Sequence, residues 1–505
     1  MSSRLKTAAI LLLGLKILLA AIFPVFGDEA YYFYWGTHFA QGYYDLPPMV
    51  GWWLWPFLKL SPSEFWARLP NLMVMAAISY GLFDLIAGER DRGEARAGAW
   101  LFFFLPLPFL TVISFPDVPL LFFSFFSSLL FYRGIRSQKA FFSLPLLLAG
   151  ALWGAAFLSK YFAVFLLPAF LVFAWPRSKQ RIGGMLSFLA GAAPAVIQHL
   201  QWNRLHCWSN FVFNLIVRQK VPEGSPLRTT GELVLFCLLV AAPVWIALLS
   251  SRRPAPGPAG DLRRFFFLLW WIPLLFFGAT ALNGRGQGLH WLLFITPFFA
   301  GWSAIRSGEA GALRAVRFSM GMSAILVGVL LTAFALPRTV LSGVFETRNH
   351  ADFVIITSRG GFVSGFADRI KGASAFFTDS YSISGLFDAE FRKRDDSASL
   401  PPVKAWLTGS RFGRAFDWTV DWRSLEGKTV SFFKFGHGSA AELGPFFLRI
   451  DAFPLKYEDV DYTVFTGSGF KAKEFWRTRV LPEIETFYPA FLPGKCSIKE
   501  AFGVD

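Results

Sequence analysis

Charge is the scarcest property of this chain. Asp, Glu, Lys and Arg together make up 16% of its 505 residues, while 54% are hydrophobic and 18% aromatic. That balance excludes an ordinary soluble globular protein, in which about a quarter of the residues are charged. Cysteine is scarcer still, with only Cys207, Cys237 and Cys496. Their scatter offers neither a disulfide framework nor the Cys-x-x-Cys or Cys/His spacing of a metal site. There is no internal repeat, no low-complexity segment and no basic tract interleaved with aromatics. A nucleic-acid groove is therefore excluded, despite a formal net charge of +15.

What is present is a succession of apolar runs long enough to cross a bilayer, ending at Leu336. The predicted spans are 5–23, 66–88, 97–114, 117–132, 141–158, 162–175, 183–200, 231–250, 265–281, 290–305 and 318–336, which makes eleven. Arg4 and Lys6 ahead of the first run imitate a signal peptide. No small-residue cleavage pattern follows, so the run reads as a retained helix.

Basic residues set the orientation. With the N-terminus inside, the inside ends carry 18 Lys and Arg residues and the outside loops 7. This asymmetry follows the positive-inside rule. The net charge is a consequence of it, since the tail after residue 337 holds 22 basic and 21 acidic residues. The excess positive charge therefore faces anionic lipid headgroups. An odd number of spans puts the tail outside. The expected architecture is a polytopic α-helical membrane domain over 1–337 and an extracytoplasmic domain over 338–505, of α/β or α+β class. In the tail, 375–378, 430–435, 446–450 and 462–465 read as strands and 383–391 as a helix.

The candidate site gathers on the outside. Just past the first span come Gly27, Asp28 and Glu29, then an aromatic stretch that reads as helix, then Asp45 before Pro47-Pro48. Three carboxylates so close to hydrocarbon point to an aqueous site at the membrane face. A solvated loop with an interfacial aromatic belt is the plainer alternative. Asp117, in Pro116-Asp117-Val118-Pro119, suits either a helix N-cap or the site. Lys160 sits between two apolar runs with almost no loop, where it either snorkels to the interface or holds an anionic headgroup. The loop 201–230, with Asn203, His206, Asn214, Arg218, Lys220, Glu223 and Arg228 among its polar residues, is net basic and suits a phosphate or an acidic sugar. Arg285 and His290, in a glycine-rich loop, bring further donors to the same face, with an interfacial anchor as the other reading of Arg285.

These motifs, taken in order, resemble the polytopic glycosyltransferases of the GT-C fold. The likeness is to the bacterial branch related to protein O-mannosyltransferases and the lipid A aminoarabinose transferase. The segments that carry it are Gly27-Asp28-Glu29-Ala30-Tyr31-Tyr32, Gly42-Tyr43-Tyr44-Asp45-Leu46-Pro47-Pro48, Pro116-Asp117-Val118-Pro119, Leu158-Ser159-Lys160-Tyr161, His290-Trp291 and Gly413 to Trp418. The resemblance implies a polyprenyl-phosphate-linked sugar as donor and transfer at the periplasmic face of the inner membrane. The implied acceptor is a lipid or glycan such as lipid A, with protein as the alternative; a lipid or glycan transporter is the competing reading. It assigns Asp28 as general base, Lys160 to the donor phosphate and Asp45 as a possible ligand for a divalent metal. Glu29, Asp45, Asp117, Arg285 and His290, placed at the same face, are the further candidates for binding the donor phosphate or sugar. Leu46 departs from the family, where His or Lys is usual, so the phosphate or metal contact expected there must come from elsewhere. Tyr31, Tyr32, Trp35 and Trp52 are expected to stack on sugar faces.

Overall fold

A computed structural model describes residues 3–487 apart from 26, 138–141, 176–178, 219–224, 250–259, 285–287, 336–346, 407–413, 417–418, 439 and 459. The first half is helical. Ser3–Ile22 (α1) is followed by two short helices, Asp28–Thr37 (α2) and Met49–Leu60 (α3), and then by the long Glu64–Ala87 (α4). Next come Arg92–Phe104 (α5), Pro106–Phe109 (α6), Asp117–Ser137 (α7), Leu144–Ser159 (α8), Leu166–Ala174 (α9) and Lys179–Leu205 (α10). Ser209–Val212 (α11), Pro226–Leu249 (α12), Gly260–Leu282 (α13) and Thr296–Ala335 (α14) complete this part.

Every predicted span coincides with helix, but the helices are not eleven uniform rods. Among the described residues six are long and apolar enough to cross a bilayer alone, or seven if one bent pair counts as a span. The bent pair is Arg92–Phe104 with Pro106–Val112, which turns by 59°. Leu105 is extended there (φ −60°, ψ 137°), as a residue before proline prefers, and Pro106 has no N–H to continue the ladder. The runs at 141–158 and 162–175 form shorter apolar helices, and those at 290–305 and 318–336 share α14, broken at Gly308.

The polar contacts of the helical part gather at two ends. One end carries the ion pairs Arg133–Asp84 and Arg136–Glu89, both at 2.6 Å. The other carries the candidate site. Near that second end Cys207 is disulfide-bonded, while Cys237 is a free thiol. One bridge is not a framework, and spacing along the chain gives no sign of which cysteines folding brings together.

The last part is a layered α/β unit. Its five-stranded sheet uses Phe376–Thr378 (β1), Val403–Ala405 (β2), Val430–Phe435 (β3), Arg449–Tyr457 (β4) and Val460–Ser468 (β5), in the order β2-β1-β3-β5-β4. β1 runs parallel to both neighbours, and β5 is antiparallel to β3 and β4. The strand expected at 446–450 starts only at Arg449, because Gly444–Phe446 forms a 3-10 turn around Pro445. Thr347–Ser364 (α15), Ala367–Ile370 (α16) and Tyr381–Lys393 (α17) accompany the sheet. Phe362, Phe366, Phe376, Phe387 and Phe433 pack as one aromatic core between helices and sheet.

Candidate active site

The turn into α2 builds the site. Gly27 has φ 55° and ψ −133°, a backbone state that a side chain would strain, and it lets the chain reverse directly out of α1. Asp28 and Glu29 then occupy the first turn of α2, where carboxylates suit the positive helix end. Successive helical residues point about 100° apart, so the two carboxylates part company. Asp28 is exposed, and Glu29 is buried.

Glu29 faces Arg68 of α4. The guanidinium donates to both carboxylate oxygens at 2.8 and 2.5 Å, and the Ser114 amide donates to Oε1 at 2.8 Å. Arg68 also donates to the carbonyls of Ala20 and Phe23, closing the end of α1. Glu29 therefore holds the corner of α1, α2 and α4 together, and its oxygens are already engaged. Sequence reading missed Arg68. The signal available was an arginine inside an apolar run, which needs a buried partner.

Asp28 opens onto a cavity of about 690 Å³ at the end of the bundle, lined also by Asp45, Asp117, Lys160, Arg218 and His290. Folding thus gathers side chains from six separate stretches of sequence around one space. Lys160 donates to both oxygens of Asp117, at 3.0 and 2.9 Å, and His290 Nε2 lies 3.8 Å from the same carboxylate. Both members of the Lys160–Asp117 pair are buried. The Asp117 carboxylate is thus spoken for by a lysine rather than serving only as a helix cap. Arg218 stacks over the Trp291 ring at 4.9 Å, and Lys160 sits over the same ring at 5.2 Å. Arg228, further out, pairs with Glu232 at 2.8 Å. Arg285, Lys220 and Glu223 lie outside the described residues.

Asp45 is set by the loop between α2 and α3. Its carboxylate accepts from the Tyr31 hydroxyl at 3.2 Å, and its backbone carbonyl accepts from Asn214 at 2.9 Å. Asn210 likewise holds the Tyr43 carbonyl at 2.7 Å. Burial pushes the Asp45 carboxyl up to about 7, and the Asp28 charge adds to the rise. The segment that carries Arg218 therefore also fixes the loop that carries Asp45. Asn210 is bonded in turn by Tyr161, whose hydroxyl lies 2.7 Å from His199. Among the described residues no three His, Cys, Asp or Glu side chains converge as a metal would require. The described residues thus do not by themselves make a metal site, and no step below is routed through one.

The expected aromatic platform is divided. Tyr31 and Tyr32 line the cavity. Trp35 does not, being buried face to face against Tyr43 with centroids 3.9 Å apart. Trp52 donates its indole N–H to the Ala40 carbonyl and is absent from the lining. Trp291 takes the place expected of them. A further residue from the α/β unit closes the space: Tyr381, at the start of α17, donates its hydroxyl to Asp28 Oδ1 at 2.7 Å.

The arrangement can accept a proton at Asp28 and neutralise a departing anion at Lys160 and Arg218, which line one cavity open to the surface. Comparison with known proteins bears on the fold and the family. Residues 45–202 match the family described as dolichyl-phosphate-mannose-protein mannosyltransferase. A curated relative, the lipid A galacturonosyltransferase RgtD of Rhizobium johnstonii, is 31% identical over 189 residues, which cover 36% of this chain and 39% of that relative. The match thus spans about two fifths of the relative's length. Among solved structures, ArnT from Cupriavidus metallidurans in the apo state superposes with a TM-score of 0.54 at 11% identity, over 91% of this chain and 97% of that one. The chain is thus an integral membrane protein with the GT-C fold of polytopic glycosyltransferases, and it carries the mannosyltransferase family pattern over residues 45–202.

Proposed function

We propose that the protein transfers a sugar from a polyprenyl-phosphate donor to a lipid A or related envelope-glycan acceptor at the periplasmic face of the inner membrane. The observation that carries this reading is the separation of roles within the cavity. Asp28 is exposed to it, while Lys160 and His290 lie at Asp117 and Arg218 shares the Trp291 ring with Lys160. Displacing a lipid phosphate from an anomeric carbon needs a base at the acceptor hydroxyl and cations at the leaving group. In this reading Asp28 takes the proton of the acceptor hydroxyl as its oxygen attacks the anomeric carbon. The bond to phosphate oxygen breaks, and Lys160 and Arg218 receive the charge. One displacement inverts the anomeric centre. Arg218 supplies the cation that Leu46 does not.

The relative's name, a lipid A galacturonosyltransferase, and the net basic sequence of the 201–230 loop favour a lipid A acceptor and an acidic sugar. The basic asymmetry of 18 to 7 and the disulfide at Cys207 support placing this face and the 338–505 domain outside the cytoplasm. The direct test offers the purified protein a polyprenyl-phosphate galacturonate with lipid A or a model peptide. Mass addition to lipid A supports the reading. Modification of the peptide alone moves it to protein glycosylation, and transport without cleavage of the lipid-linked sugar rejects it.

A further inference from the structure

Helix α17 of the α/β unit lies against α2, the helix that begins with Asp28. The approach is close enough that a Cβ placed on Gly385 would sit 2.3 Å from the Ala30 carbonyl oxygen. Around this contact Tyr31 meets Tyr381 edge to face at 5.0 Å and stacks with Phe416 at 5.7 Å. Lys393 and Arg359 both bind Glu64 at the start of α4, at 2.5 and 2.7 Å. The docking is therefore built from backbone contact, aromatic packing and ion pairs, and it delivers one hydroxyl to the cavity.

We propose that Tyr381 is a positioning residue of the transfer site, so that the α/β unit completes the site rather than merely standing beside it. This rests on the transfer reading of the cavity. The phenol binds Asp28 Oδ1 and restricts rotation of the carboxylate, leaving Oδ2 for the acceptor hydroxyl. That hydrogen bond, 2.7 Å long, decides which carboxylate oxygen stays open to the cavity. Asp45, Asp117, Lys160, Arg218, His290 and Tyr32 line the same cavity. None of them belongs to α17, so Tyr381→Phe leaves each of them in place.

Two variants of the full chain test this. Tyr381→Phe keeps the ring and removes the hydroxyl. Gly385→Ala keeps the hydroxyl and wedges α17 away from α2. The first measurement is the rate of carbodiimide labelling of Asp28 at one fixed pH, read by mass spectrometry, which needs no substrate. In both variants Asp28 should label several-fold faster than in wild type, because the phenol no longer engages Oδ1. The second is steady-state transfer from polyprenyl-phosphate galacturonate to lipid A. There kcat should fall roughly 10-fold, the scale of one hydrogen bond to a charged group, with the donor KM unchanged. A wild-type labelling rate in Tyr381→Phe, or unchanged kcat, overturns the role. Faster labelling in the variants, with a wild-type protein that itself transfers nothing, overturns the transfer reading while leaving the contact in place.

Discussion

Glu29 and Arg68 are joined by two hydrogen bonds inside the membrane domain, with each side chain only 1% exposed. Asp28, its neighbour in sequence, points into the cavity instead. Adjacent carboxylates thus have separate surroundings, one in a buried ion pair and one at the cavity. Glu29→Gln leaves a buried guanidinium without its counter-charge, at a cost of about 3–5 kcal/mol. The expected outcome is a lower Tm and poor yield in detergent. Glu29→Gln combined with Arg68→Met should recover much of the Tm, which a thermal-shift comparison of the three proteins measures.

Asp28→Asn should behave in the opposite way. It preserves size and most hydrogen bonding, so Tm should stay near wild type. Turnover should fall roughly 100-fold or more, the usual scale for losing a general base, with donor binding largely kept. Equal turnover in Asp28→Asn and wild type would remove Asp28 from the chemistry.

Lys160 should matter to donor use. Its ammonium is held by Asp117 in a buried pair beside the rings of Phe162 and Trp291, so it is pre-placed for a phosphate. Lys160→Ala should weaken donor use by roughly 10-fold or more. Because that variant also strands Asp117, the informative partner is Lys160→Ala with Asp117→Asn. If the double variant regains normal donor dependence, Lys160 serves the fold alone.

Asp45 predicts a pH dependence. Its carboxyl lies near 7 in the folded chain against an ordinary 3.8, with burial the main cause. The folded state therefore holds a proton that the unfolded state has already released between these values. Stability from this group is fully present below about 4, falls as pH rises through 7, and is level above. Tm measured between pH 4 and 9 should show that decline, and Asp45→Asn should flatten it.

The orientation yields a simple test. A periplasm-active reporter fused after Asp505 should be active, and a cytoplasm-only reporter at the same place silent. The reverse pattern would invert the topology drawn from the basic residues.

Composition and pattern alone were enough to establish the membrane class, the helical positions, the α/β tail and the clustering of Asp28, Asp45, Asp117, Lys160 and His290 at one face. The reason is that hydrocarbon tolerates so few polar groups that their places along an apolar chain are informative by themselves. Local pattern could not decide which polar groups face each other. Whether Glu29 meets a ligand or Arg68, and whether Trp35 meets a sugar or Tyr43, depends on a helix rotation and on neighbours far away in the chain. Tyr381 is the clearest case: 353 residues separate it from Asp28, and nothing in Ser380-Tyr381-Ser382 marks it as a partner. Only the docking of α17 on α2, a matter of shape between two surfaces, brings its hydroxyl to the carboxylate.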